Sequence, residues 1–127
     1  MLSNKLLLFL LYIYLINGYI NTINLNNNIN LKSNVNKNNN INFLIWKGFS
    51  VPSKNYIEFS KSIIKEGLKK DLNINITICN NYNFPVTDLN NTILFGHSSG
   101  GYHCLKNNSK LKAKITYGSD RKSTRLN

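Results

Sequence analysis

Arginine is absent before position 121, acidic residues number five against sixteen basic ones, and only two histidines and two cysteines occur in 127 residues. So few cysteines and histidines leave no credible metal-binding constellation. Without arginine forks, and without aromatic residues interleaved among the lysines, the positive charge does not read as a nucleic-acid surface. Lys61, Lys65 and Lys69 instead recur at four-residue spacing, which marks the solvated stripe of a helix. No apolar run reaches the roughly 20 residues of a bilayer span. The length allows one small domain, and an apolar content of 42% excludes a wholly disordered chain.

What is present is unevenly distributed. Residues 6–16 form an unbroken apolar run after Lys5, of the length of a secretory signal, so residues 1–18 are read as a signal peptide or signal anchor with membrane contact through residues 6–16. Asn makes up about one residue in five. It dominates 19–40, which is read as a low-complexity spacer with room for one or two weak strands. The last residues, 120–127, hold both arginines, Arg121 and Arg125, in a chain otherwise rich in the amino acids of AT-rich codons. They match the translation of a common sequencing-library adapter and are set aside from the fold; the alternative is a genuine basic C-terminus.

Between these ends lies a regular alternation. Ile41 to Trp46 has the β-branched and aromatic content of a buried strand. A helix is expected over about 54–70, with Ser53 as N-cap and Tyr56, Ile57, Ser60, Ile63, Ile64 and Leu68 as its apolar stripe. Leu72 to Ile78 alternates with period two, Thr92 to Phe95 is a short apolar strand, a helix follows through Tyr102, Cys104 and Leu105, and Ala113 to Tyr117 is a further strand. Strands alternating with helices predict an α/β fold with a mainly parallel sheet and flanking helices.

Gly96-His97-Ser98-Ser99-Gly100-Gly101 stands between the third of these strands and the second helix. It satisfies G-x-S-x-G in the strand–turn–helix setting that the pattern physically requires. Such a turn forces the central serine into a strained backbone conformation, and the residues two before and two after it must be small. Gly96 and Gly100 meet that condition for Ser98, whereas the alternative register on Ser99 would put His97 where a small residue is needed. The same segment satisfies neither the Walker nor the dinucleotide glycine pattern.

On these residues the chain resembles the α/β-hydrolase superfamily, in particular lipase- and esterase-like members with a G-H-S-x-G-G elbow, over roughly 41–119. The resemblance implies a partial α/β-hydrolase domain, incomplete at its C-terminus, that acts on a small-molecule or lipid acyl substrate through a Ser–His–acid triad with no cofactor. It implies Ser98 as nucleophile, the backbone N–H groups of Ser99 and Phe49 as oxyanion donors, and His97, Gly100 and Gly101 as elbow residues. Lys47 stands where the family usually has histidine. The acid and base would follow later strands, so His97 and His103 are not expected to activate Ser98, and this stretch alone should be nearly inert. An incomplete sheet should also leave an unpaired strand edge near Ile115. Cys79 and Cys104 are read as buried free thiols rather than a disulfide, and the Asn-rich composition makes the three glycosylation sequons uninformative. A catalytically inactive hydrolase-like binding module and a basic membrane-tethered protein are the competing readings.

Overall fold

The computed structural model describes residues 3–18, 20–25, 27–35 and 38–118; the adapter-like segment 120–127 lies outside them. Helix α1 spans Asn4–Gly18, followed by strands β1 (Ile20–Leu25), β2 (Asn28–Ser33) and β3 (Asn39–Trp46). A 3-10 turn (Ser53–Tyr56) leads into α2 (Ile57–Lys69), then β4 (Leu72–Cys79), β5 (Thr92–His97), α3 (Ser99–Lys106) and β6 (Ala113–Tyr117). The six strands form one sheet in the order β1-β2-β4-β3-β5-β6, parallel from β4 to β6, with the β1–β2 hairpin added antiparallel at one edge. This is an α/β fold with a mostly parallel sheet and flanking helices.

Strand alternation sorts the core into two layers. Phe43 and Ile45 of β3, with Ile74, Ile76 and Ile78 of β4, point to one face and bury Ile64 of α2 against Leu31 of β2. Leu44 and Trp46 point to the other face, where Cys79, Leu94 and Cys104 of α3 complete a smaller cluster. Lying between β4 and β5, β3 has its last four residues buried, Phe43 through Trp46. That burial on both faces explains its unbroken apolar run.

Three expectations need correction. Strands β1 and β2, in the stretch 19–40 read as a spacer with room for one or two weak strands, form a hairpin that belongs to the sheet, with Ile29, Asn30 and Leu31 paired to Ile78, Thr77 and Ile76. The edge of β4 supplies what composition alone does not. Leu31 enters the core, Asn30 Oδ1 accepts a hydrogen bond from Thr77 Oγ1 at 2.9 Å, and Asn28 Oδ1 accepts from the Asn80 N–H at 2.8 Å. Asn27 turns the hairpin at φ 64°, a conformation that asparagine tolerates. Second, the helix expected over 54–70 begins as a 3-10 turn and becomes α-helical at Ile57. Third, Ser53 is not an N-cap: it is the first residue of the 3-10 turn, and its hydroxyl accepts from Lys47 Nζ at 3.2 Å.

The sheet's ends are less covered than its middle. All five residues of β6 are exposed, and Ile115 and Tyr117 are among the exposed large hydrophobic side chains. In α1, Leu6 to Leu11 are also exposed. Among the described residues no helix is long and apolar enough to cross a membrane.

Candidate active site at the β5–α3 turn

Ser98, the single residue between β5 and α3, has φ 54° and ψ −119°. L-residues seldom occupy this region, and such a conformation persists only where its surroundings over-determine it. Here the Ser98 N–H donates to the Tyr117 carbonyl of β6 at 2.9 Å, while the Ser98 carbonyl accepts from the N–H groups of Gly101 at 2.9 Å and Tyr102 at 3.2 Å. Both peptide groups around the serine are therefore fixed, one by the neighbouring strand and one by the following helix.

The two glycines of the motif are required by close approach. A Cβ on Gly96 would lie 2.5 Å from the Gly100 carbonyl oxygen and 2.6 Å from the Gly101 Cα, and one on Gly100 would run into the backbone carbonyl of Trp46. A side chain at Gly96 would push α3 away from β5, and one at Gly100 would push it away from the end of β3. A Cβ on Gly48 would come within 3.3 Å of the Ser98 Cβ, so the loop after β3 lies directly beside the serine. Ser99 opens α3, so its N–H has no acceptor one turn earlier in the helix.

Phe49, the other expected donor, is in that loop, with its side chain 85% exposed and its N–H donating to Ser99 Oγ at 2.6 Å. The Ser99 hydroxyl also lies 3.1 Å from Tyr82 Oη, which donates to the Lys47 carbonyl at 3.3 Å. His97 is engaged away from Ser98. Its Nδ1 lies 2.8 Å from Tyr56 Oη, which accepts from the Gly48 N–H at 2.9 Å. Tyr56 thus ties the β3 loop to the turn, and burial pushes its phenol above the usual tyrosine range. His103 stacks on the Tyr82 ring with centroids 4.1 Å apart.

The sequence reading missed Tyr56 and Tyr82 as parts of this arrangement. Tyr56 looked like one more member of an apolar stripe, and Tyr82 sits in an asparagine-rich turn with no periodicity to mark it. Beside His97, a cleft of about 400 Å³ is lined by Tyr56, Phe59, Phe95 and Tyr117. Its aromatic walls suit an uncharged alkyl or aryl group.

Other candidate chemistry is weak. Among the described residues no group of three or more His, Cys, Asp or Glu is placed to hold a metal ion. Cys79 and Cys104 are free and buried. Burial pushes the Cys79 thiol up to about 12 and raises that of Cys104, so neither supplies a thiolate nucleophile near neutral pH.

No family model matches the chain, and no curated protein matches it. Among solved structures, the Francisella virulence factor BioJ is similar with a TM-score of 0.47 and 17% identity, over 87% of this chain and 48% of its own. A "predicted CIB-like hydrolase from Thermoplasma acidophilum" gives a TM-score of 0.45 and 14% identity, over 76% of this chain and 60% of its own. The chain spans about half the length of the first and three-fifths of the second. Likeness at this level bears on neither family nor activity.

Proposed function

We propose that this chain is the nucleophile-bearing part of a serine hydrolase of the α/β-hydrolase kind, with carboxylic esters as substrates. The observation that carries the reading is the backbone of Ser98, held at φ 54° between a parallel strand and a helix by two glycines that admit no side chain. That conformation lifts a hydroxyl out of the turn, beside the first amides of α3. In the reaction Ser98 Oγ bonds to the acyl carbon and its proton passes to a histidine base. The carbonyl π pair moves to oxygen, and collapse of the intermediate expels the alcohol, which takes up that proton; water then gives a proton to the same histidine as it bonds to the acyl carbon, and the acid leaves as Ser98 Oγ takes that proton back. The Ser99 N–H faces the developing oxyanion. A histidine and a carboxylate from later strands would complete the triad, because His97 is committed to Tyr56 and His103 to Tyr82.

Hydrolysis of short p-nitrophenyl esters by the full-length protein tests this reading. Ser98→Ala should lower kcat by at least about 1000-fold, and an unchanged rate would remove Ser98 from the mechanism. Residues 1–18 would direct export or anchoring. N-terminal sequencing tests that separately: a start beyond Gly18, or an intact start in the membrane fraction, supports it, and an intact start in the soluble fraction contradicts it.

A further inference from the structure

We propose that Tyr82 is an oxyanion donor and that the Ser99 hydroxyl occupies the oxyanion's seat in the resting protein; the inference rests on Ser98 being the nucleophile. Two groups converge on Ser99 Oγ, the Phe49 N–H at 2.6 Å and Tyr82 Oη at 3.1 Å. An amide N–H only donates, so Ser99 Oγ is the acceptor in the first contact, the role a substrate oxygen would take. These two groups come from different places, the loop after β3 and the turn after β4. They meet on the hydroxyl of Ser99, the residue that follows Ser98 and whose own N–H opens α3. An oxygen at this point lies where the acyl oxygen of an attacked ester would receive negative charge.

Tyr82 is held in position for this role. The Trp46 indole N–H donates to the Asn83 carbonyl at 3.0 Å, which pins the backbone next to it. The phenol ring lies between Trp46, at 5.7 Å between centroids, and His103, at 4.1 Å. Its hydroxyl has two acceptors within reach, Ser99 Oγ and the Lys47 carbonyl, so it can turn its proton toward an incoming oxygen without moving the ring. Rotation of Ser99 about χ1 vacates the seat. The arriving acyl oxygen then meets the Phe49 N–H, the Tyr82 O–H and the Ser99 N–H. Tyr82 donates a hydrogen bond as the carbonyl π pair moves to oxygen, and it keeps its proton throughout.

Steady-state hydrolysis of p-nitrophenyl butyrate by the full-length protein decides the matter, with rates normalised to the Ser98 titrated by a fluorophosphonate at end point. Tyr82→Phe keeps both ring contacts and should lower kcat about 100-fold with little change in KM. Ser99→Ala removes the competing hydroxyl while keeping the Ser99 N–H, and should raise kcat/KM at least about threefold. A Tyr82→Phe variant within twofold of wild type overturns the proposal, as does a Ser99→Ala variant whose kcat/KM stays at the wild-type value or falls. Should Tyr82→Phe fail to fold, the Ser99→Ala arm decides alone: a rise in kcat/KM supports the proposal, and an unchanged or lower value overturns it. Ser98→Ala separates the two levels. If it is inactive while the other variants give the overturning result, only the Tyr82 assignment falls; if it is active, both fall.

Discussion

Strands β3 and β6 both run parallel to β5, one on each side, yet they support the Ser98 turn in opposite ways. From Phe43 to Trp46, β3 is buried, covered on its two faces by the α2 and α3 layers. β6 is exposed along its whole length and still holds the Ser98 N–H through the Tyr117 carbonyl. The strained serine is therefore braced by a well-packed strand that α3 approaches closely at Gly100, and by a thinly covered one that contributes a single backbone bond. Steric exclusion at Gly100 and packing beneath Trp46 should set the geometry of the turn, and β6 should tune it.

The largest expected effect follows from Gly100. A Cβ there meets the Trp46 backbone, which has no flexible end to move aside, so Gly100→Ala should cost more than about 4 kcal/mol and lose the cooperative urea transition. A folded Gly100→Ala protein would show that the approach of α3 to β3 is looser than described.

Paired truncations sharpen the contrast. Leu44→Ala, in the fully buried part of β3, should destabilise by about 2–5 kcal/mol, whereas Ile115→Ala, on the exposed strand, should change stability by roughly 0.5 kcal/mol or less. Equal losses in urea melts would mean that β6 is covered as well as β3.

A smaller effect concerns pH. Burial raises the folded-state Cys79 value from 9.0 to about 12, so above pH 9 the unfolded chain releases its thiol proton first. The stability tied to the neutral thiol is complete below that point and is lost as pH climbs toward 12. Cys104 and Tyr56 shift in the same direction. Denaturation midpoints should fall across this window, and Cys79→Ala should flatten the decline; an unchanged slope would mean that the thiol is not buried in the folded chain.

The contrast also explains what the sequence made legible. β3, α2, β4, β5 and α3 are readable because one face or both meet the core, so apolar residues recur at strand or helix period. The glycine spacing around Ser98 was readable for a stronger reason, since sterics leave almost no alternative at Gly96 and Gly100. The β1–β2 hairpin was legible only as room for one or two weak strands, because its order comes from the edge of β4 and from asparagine side chains bonded to Thr77 and Asn80. Tyr82 was hidden more completely. Its position depends on the Trp46 indole 36 residues earlier in the chain and on His103 in a later helix, contacts that local sequence does not encode.

The central claim is that the turn presents Ser98 as a nucleophile, and covalent labelling tests it most directly. The folded full-length protein, treated with a fluorophosphonate and analysed by peptide mass spectrometry, should carry one phosphonyl group on Ser98, absent after prior denaturation. An unmodified Ser98 in protein shown to be folded would contradict the account.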